Sequence, residues 1–212
     1  EEFSDFLKLK NLGAIVTKTI TIRPRKGNSM PRTCETAAGM LNSIGLENLG
    51  LESFIKDKLP LLKKAGVPII ASIASEGDPE EFVELAKRLD EIKEIAALEL
   101  NISCPNIKKS TLIAQDPAAT HDVVSMVRKA TSKTLITKLS PNVTDIVEIA
   151  KAAQAAGSDA VSLINTLMGM SIDITTRKPK IAAVTGGLSG PAVKPVALRM
   201  VWEVSRAVKI PV

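Results

Sequence analysis

Aromatic side chains are scarce in this sequence: only 2% of its 212 residues are Phe, Trp or Tyr, with no Tyr and a single Trp. The core of one sizeable domain must therefore be built from Ile, Leu, Val and Ala, in a chain that is 45% hydrophobic. Without aromatic platforms or a recognisable nucleic-acid-binding motif, nucleic acid is not an expected partner.

Cysteine and histidine are scarce too. Two Cys and one His are too few for a disulfide framework or a plausible zinc site, so no metal is expected, and the compartment should be reducing. The apolar stretches near 67–74 and 159–164 have the length of strands, far short of a membrane span. The acidic start at Glu1-Glu2-Phe3 is unlike a secretory signal. We therefore expect a cytoplasmic protein with no membrane segment.

The net charge of +5 is spread along the chain rather than concentrated. Lys and Arg alternate with Glu and Asp in 56–64 and 80–94, as on solvated helix faces. The small positive excess suits an anionic substrate or cofactor without requiring one.

Short β-branched runs alternate with amphipathic helical stretches. Strands are predicted at 14–17, 68–73, 97–101, 135–138 and 160–164, with a further strand beginning at 210–212. Helices are predicted to begin after Asp78, Asp116 and Asp145, the third ending at Gly157, and a last helix places Trp202 in the core. This alternation is typical of β/α units around a parallel sheet.

Two α/β architectures fit such units: a doubly wound open sheet and a (β/α)8 barrel. No Gly-x-Gly-x-x-Gly follows a strand, which disfavours the nucleotide-binding open sheet. Polar residues stand at strand ends, namely Lys18, Asn101, Lys138 and Asn165. Barrel enzymes collect their chemistry at that face, so we predict a (β/α)8 TIM barrel.

The barrel is expected to be incomplete, because a closed barrel needs eight strands. Residues 1–212 are predicted to form a single partial domain with about strands 2–6 and the start of strand 7, lacking its N-terminal and C-terminal portions. Two insertions are long: residues 20–50, which are rich in Gly, Pro and Asn, and residues 166–190, which contain a predicted hairpin turn at 175–180. Long structured loops on the upper face of a barrel usually carry binding.

The sharpest local signal is Asn101-Ile-Ser-Cys-Pro-Asn106, where Pro105 prevents helix continuation and leaves Cys104 in a loop over the barrel mouth. Its flanking asparagines can both donate and accept hydrogen bonds. From residue types alone, the favoured interpretation of Cys104 is an inert buried thiol, because a single Cys is weak evidence of catalysis. Lys18 and Lys138 could pair with an anion or form a Schiff base, or could be plain solvated lysines.

Several motifs in one order resemble the dihydroorotate dehydrogenases of class 1. They are Gly13-Ala-Ile-Val-Thr-Lys-Thr19, Gly27-Asn28-x-x-Pro31-Arg32, Asn42-Ser-Ile-Gly-Leu46, Asn101-Ile-Ser-Cys-Pro-Asn106, Thr137-Lys-Leu-Ser-Pro-Asn142, Ser162-Leu-Ile-Asn-Thr166, Arg177-Lys-Pro179 and Thr185-Gly-Gly-Leu-Ser-Gly190. The sequences of these motifs are most similar to those of branch 1B, whose catalytic subunit carries FMN. The resemblance covers essentially the whole chain.

The resemblance implies a role for each matching residue. Cys104 would be the base that takes the proton from dihydroorotate. FMN would contact Lys18, Thr19, Asn101, Lys138, Ile164 and Gly190. Substrate would contact Lys18, Asn42, Ser43, Ile44, Gly45, Leu46, Asn101, Asn165 and Thr166. The product would be orotate, an intermediate of pyrimidine (UMP) biosynthesis.

The same resemblance implies partners. Branch 1B works with an electron-transfer subunit that carries FAD and a [2Fe–2S] cluster and passes electrons to NAD+, around a homodimer core of a heterotetramer. This sequence departs from the branch after Asn106, where Ile107-Lys-Lys replaces a glycine-bearing stretch. The family's FMN phosphate segments would lie beyond Val212 and its Ala-Ser-Gly segment before Glu1, so this chain alone is expected to bind FMN poorly.

Three other functions remain open from the residues. A dihydropyrimidine dehydrogenase-type flavin enzyme typically has His where this chain has Asn106. A Schiff-base lyase on a TIM barrel would use Lys138. A non-catalytic barrel fragment or binding module would use none of these groups.

Overall fold

The structure, a computed structural model, describes residues 8–103 and 113–212. Its strands are β1 (Ile15–Val16), β2 (Thr33–Thr36), β3 (Gly39–Asn42), β4 (Ile69–Ile73), β5 (Ile95–Asn101), β6 (Thr134–Lys138), β7 (Ala160–Ser162), β8 (Leu167–Met170), β9 (Ile172–Asp173), β10 (Lys178–Pro179) and β11 (Thr185–Ser189). Its helices are α1 (Gly50–Ser53), which continues through a π turn into α2 (Leu59–Lys63), then α3 (Pro79–Asp90), α4 (Pro117–Arg128), α5 (Ile146–Ala155) and α6 (Lys194–Ala207).

The central sheet is parallel, with its five strands in the order β1-β4-β5-β6-β7. The strand predictions are therefore confirmed in type and order, although β7 ends at Ser162, two residues earlier than predicted. Residues 210–212 are not a strand, but the amide of Val161 donates to the Pro211 carbonyl at 3.0 Å. The chain at Pro211 thus runs alongside β7, where the next barrel strand would lie.

Three aspartates begin the predicted helices. The carboxylates of Asp78, Asp116 and Asp145 accept hydrogen bonds from the first backbone amides of α3, α4 and α5. These amides have no partner inside a helix, so an oxygen at the cap position stabilises the helix start. At the other end of α5, Gly157 adopts a positive φ of 97°, which ends the helix as predicted.

The core lies between the parallel sheet and the helices α3 to α6, which pack in sequence against one another. Alternate residues of β5, Leu98 and Leu100, are fully buried in it, and Phe82 of α3 is the largest fully buried side chain. One expectation is wrong: Trp202 is 60% exposed. The buried residues of α6 are Met200 and Val204, so the indole lies on the opposite side of that helix.

The two insertions do more than form loops. They pair with each other in a four-stranded antiparallel sheet of order β2-β3-β11-β8, in which Gly187 faces Asn42 on one side and Met168 on the other. Both insertions leave carboxyl ends of barrel strands, β1 and β7, so this sheet covers the barrel mouth. The predicted hairpin is confirmed as the β9–β10 pair.

Two further properties concern residues 8–103 and 113–212 only. No helix among them is both long enough and apolar enough to cross a bilayer. No cluster of three or more His, Cys, Asp or Glu side chains among them could hold a metal ion.

At the amino ends of the strands, Asp90 joins the end of α3 to the turn before β6. Its Oδ1 accepts from Thr131 Oγ1 at 2.5 Å and from the amides of Ser132 and Lys133 at 2.8 and 3.3 Å. The Thr131 hydroxyl, and after it the Ser132 amide, hold the pKa of Asp90 below its ordinary value of 3.8. The charged carboxylate therefore stabilises the folded chain above that pH, and the contribution is lost as pH falls through the lowered pKa.

We predict that Asp90→Ala lowers the free energy of unfolding at pH 7 by about 0.5–1 kcal/mol, a value discounted for solvent access. The difference from wild type should shrink as pH falls below 3.8, because Asp90 takes up its proton first in the unfolded chain and only at the lowered pKa in the folded chain. Urea unfolding at several pH values measures it. Asp122→Ala on the exposed side of α4 is the matched control, and equal effects of the two substitutions would contradict the prediction.

Candidate active site

Hydroxyl and amide side chains at the carboxyl ends of the strands form one hydrogen-bonded chain. Asn101, at the end of β5, donates from Nδ2 to Thr19 Oγ1 at 3.4 Å, and Thr19 Oγ1 lies 3.1 Å from Ser72 Oγ on β4. Asn101 Oδ1 accepts from Ser103 Oγ at 2.6 Å. Ser103 Oγ accepts from Asn165 Nδ2 at 2.6 Å. We call these five side chains the polar chain; it links the ends of β1, β4, β5 and β7.

Lys138 stands next to the polar chain. The strand register places it beside Asn101 of β5 on one side and Ser162 of β7 on the other. Its side chain is half-buried, and within the described residues its ammonium has no hydrogen-bond or ion-pair partner. A partly desolvated cation is stabilised by a negative or electron-rich group, so this position suits a ligand with such an edge.

Lys18, by contrast, is exposed at the end of β1. It lines a cavity of about 150 Å³ together with Thr19, Ile20, Asn48, Leu49, Gly50, Phe54 and Lys58. The two predicted lysines thus lie at different strand ends, β1 and β6, with β4 and β5 between them. A ligand that met both ammonium groups would have to span the barrel mouth.

A second cavity, of about 140 Å³, lies between the strand ends and the antiparallel sheet. It is lined by Ser103, Ser140, Asn142, Asn165, Thr166, Met168 and Gly187. The backbone amide of Thr166 donates to Asn165 Oδ1 at 2.9 Å, which fixes the orientation of the Asn165 side chain. We call this cavity the amide pocket, because most of its polar lining consists of amide and hydroxyl groups that can donate and accept.

The predicted substrate segment 42–46 lies in the first insertion and is held there by Asn28. Asn28 donates from Nδ2 to the Ser43 carbonyl at 2.8 Å, and its own amide donates to the Ile44 carbonyl at 3.0 Å. Gly45 has a positive φ of 76°, and a Cβ there would lie 2.7 Å from Asn28. The Ser43 hydroxyl oxygen is buried without a hydrogen-bond partner among the described residues. Such a group normally has a partner, so Ser43 is available to a ligand.

Asn42 links this segment to the amide pocket. It ends β3, and its Nδ2 donates to the carbonyl of the pocket residue Gly187 at 3.4 Å. Leu46 follows with a positive φ of 57°, unusual for a branched residue, and marks a sharp turn of the backbone there.

Other predicted site residues are not joined to the polar chain. Ile164 packs against the hydrophobic core. Gly190 has a φ of 105°, and a Cβ there would lie 2.7 Å from Gly39 Cα, so the antiparallel sheet itself requires glycine. Cys104 lies outside the described residues.

The sequence prediction missed Ser103, Ser140, Asn142 and Gly187 as residues lining the amide pocket. It also missed Glu99, which is buried two residues before Asn101 and accepts from Ser162 Oγ at 2.9 Å. Ser103 and Ser140 each follow a strand by two residues, so the rule that selected Asn101 and Lys138 could have found them. Gly187 belongs to the motif Thr185-Gly-Gly-Leu-Ser-Gly190, but its place beside the pocket depends on pairing with distant strands.

The family model of the dihydroorotate dehydrogenases matches residues 1–212. The chain belongs to this family. It is 57% identical to the dihydroorotate dehydrogenase B (NAD(+)) catalytic subunit of Trichlorobacter lovleyi over 213 residues, covering 100% of this chain and 70% of the relative. It is 55% identical to the catalytic subunit of the same name from Geotalea uraniireducens, again over 100% of the chain and 70% of the relative.

Membership of the dihydroorotate dehydrogenase family confirms the predicted barrel class, since five parallel strands with helices on one side are part of a (β/α)8 barrel. The family is flavin-dependent. Among the three alternatives, family membership argues against a Schiff-base lyase, and the relatives are named for dihydroorotate rather than dihydropyrimidine.

We predict that Gly187→Ala destabilises the amide pocket. A Cβ at this position would lie 1.9 Å from Thr166 Oγ1 and 2.5 Å from Thr166 Cβ, so strand or side chain must move. The free energy of unfolding should fall by about 1–3 kcal/mol, as in other overpacked sites. Gly13→Ala is the matched control, because nothing lies within 4 Å of a Cβ there. Equal stability of the two variants would contradict the close approach.

Proposed function

We propose that this chain forms the substrate side of a dihydroorotate dehydrogenase that oxidises dihydroorotate to orotate, with FMN as the hydride acceptor. The observation that carries the proposal is the polar chain running from Ser72 through Asn101 to Asn165. Beside it lies the ammonium of Lys138, which has no partner among the described residues. A planar ring with amide edges needs donors and acceptors in this close arrangement.

The residues available for FMN are those of the resemblance: Lys18, Thr19, Asn101, Lys138, Ile164 and Gly190. One feature of this set fits a flavin: the half-buried Lys138 has no partner among the described residues and could pair with the flavin's electron-rich edge. FMN, when bound, supplies a two-electron acceptor for the hydride from C6. An ammonium beside it stabilises the negative charge that accompanies reduction.

The substrate residues are proposed to be Asn42, Ser43, Ile44, Gly45, Leu46, Asn165 and Thr166, with Lys18 and Asn101 shared with the flavin. The Ser43 hydroxyl, which has no partner among residues 8–103 and 113–212, and the amides of Asn42 and Asn165 supply complementary groups for the ring and its carboxylate. Lys18, exposed at the rim, can pair with the carboxylate.

Cys104 is proposed as the base. Its thiolate takes the proton from C5, the C5–H electron pair becomes the new C5–C6 double bond, and a hydride leaves C6. In sequence Cys104 follows Ser103, the member of the polar chain that donates to Asn101 at the end of β5. A thiolate is the reactive form of cysteine, and nearby cations favour it.

The partner is proposed to be an electron-transfer subunit that carries FAD and a [2Fe–2S] cluster, in a heterotetramer around a homodimer core. The support is the name of the relatives, which are catalytic subunits linked to NAD(+). The cytoplasmic location likewise stays a prediction, based on the few cysteines.

We predict that the full-length protein, resupplied with FMN, is yellow and that dihydroorotate bleaches its flavin absorbance without oxygen. Hydride transfer from C6 reduces the flavin, and absorbance spectroscopy follows it. Dihydrouracil, which lacks the carboxylate, is the matched control ligand and should bleach poorly. A colourless, folded protein that borohydride traps on a carbonyl substrate through Lys138 would support the lyase instead.

We predict that Cys104→Ala slows anaerobic bleaching by about 10²- to 10⁴-fold, the usual contribution of a general base. FMN should stay bound, since the base is not among its proposed contacts. Cys34→Ala in β2 is the matched control and should bleach at the wild-type rate. Near-normal bleaching by the Cys104 variant would remove its assignment as base.

A further inference from the structure

The side chain of Asn142, which follows β6, holds the chain segment that lines the amide pocket. Its Nδ2 donates to the Thr166 carbonyl at 2.9 Å, and its Oδ1 accepts from the Met168 amide at 2.8 Å. One amide group thus makes the donor and acceptor contacts that a neighbouring strand would make. Asn142 itself lines the pocket.

Asn142 is in turn held from two other directions. Its backbone amide and its Nδ2 lie 3.2 and 3.3 Å from the Oγ of Ser140, a residue that is almost fully buried. Its carbonyl accepts from Gln115 Nε2 at 2.8 Å. Gln115 ends the short helical turn 113–115, which follows the segment containing Cys104 in sequence. Asn142 therefore joins three strand-end segments of the barrel.

The hydrogen bonds of Asn142 hold residues that are proposed to contact substrate, so Asn142 can influence substrate binding through them. Asn142 fixes Thr166 by donating to the Thr166 carbonyl. The backbone amide of Thr166 donates in turn to Asn165 Oδ1 at 2.9 Å. Asn165 then donates to Ser103 of the polar chain at 2.6 Å. On the opposite side, the missing Cβ of Gly187 leaves just enough room for Thr166. A shift of the Thr166 carbonyl would therefore misplace the side chains of Asn165 and Thr166.

We infer that Asn142 is a positioning residue for substrate: it sets the place of Asn165 and Thr166 in the amide pocket. The inference rests on the proposed function, in which those two residues contact dihydroorotate and orotate. Only an amide meets both requirements, because a carboxylate cannot donate to the Thr166 carbonyl and an aliphatic side chain can make neither bond.

The test uses the full-length FMN-loaded protein with Asn142→Asp, which keeps the Oδ1 acceptor but replaces the Nδ2 donor by an oxygen. We expect the Kd for orotate, measured by perturbation of the flavin spectrum, to rise about tenfold, as for loss of one partly buried hydrogen bond. The KM for dihydroorotate should rise in parallel, while bleaching at saturating dihydroorotate should slow less than about threefold. Asn11→Asp, which adds the same charge at an exposed position before β1, is the matched control and should bind orotate normally.

Amide hydrogen exchange separates positioning from a general loss of structure. In Asn142→Asp the peptide containing the Met168 amide should stay protected, because its acceptor is kept, whereas Asn142→Ala should expose it. If Asn142→Asp does not fold, Asn142→Ser should show the same weakening of orotate binding.

The outcomes distinguish a failure of the Asn142 inference from a failure of the proposed function. Unchanged orotate affinity in a folded Asn142 variant, with normal wild-type binding, would overturn the inference alone. A wild-type protein that is yellow but does not bind orotate would overturn the proposed function, and the inference with it.

Discussion

The register of β5 between β4 and β6 is the constraint on which the rest of the site depends. Alternate residues of a strand point to opposite faces, so Leu98 and Leu100 enter the core beside the helices while Glu99 and Asn101 face the other way. A slip by one residue would bury Asn101 among the helices and expose two leucines. The hydrophobic core therefore fixes the amide of Asn101 beside Lys138, so the geometry of the proposed site depends on packing on the far side of the sheet.

The second requirement is close approach of backbone to backbone over the barrel mouth. The antiparallel sheet brings a strand from each insertion together, and a Cβ at Gly39, Gly186 or Gly190 would come within 2.7 Å of an atom of the opposing segment. These positions accept no larger residue without movement of a strand. The sheet thereby places Asn42 and Gly187, which are 145 residues apart in sequence, within hydrogen-bonding distance.

Local patterns predicted the parts of the molecule that local forces decide. The helix starts at Asp78 and Asp116 and the strand-end residues Asn101 and Lys138 were found in this way, because caps and strand ends depend on a few adjacent residues. The antiparallel sheet was not predicted, since pairing between its strands depends on distant contacts and its glycines do not favour strands. Trp202 was misplaced because a hydrophobic residue on a helix does not reveal which face is covered.

The two ends of the parallel sheet differ in how their polar groups are satisfied. At the amino ends, Arg128 Nη1 donates to Asp159 Oδ2 at 2.8 Å, and the same oxygen accepts from the Leu135 amide at 2.8 Å. At the carboxyl ends, the Lys138 ammonium has no partner within the part of the chain that the structure describes, and neither has the Ser43 hydroxyl in the first insertion, next to the antiparallel sheet that covers these ends. Folding alone favours satisfied groups, so a ligand that completes these two is what the proposed function requires. This asymmetry supports the proposal that binding belongs to the carboxyl end, while the paired groups of the amino end contribute to stability.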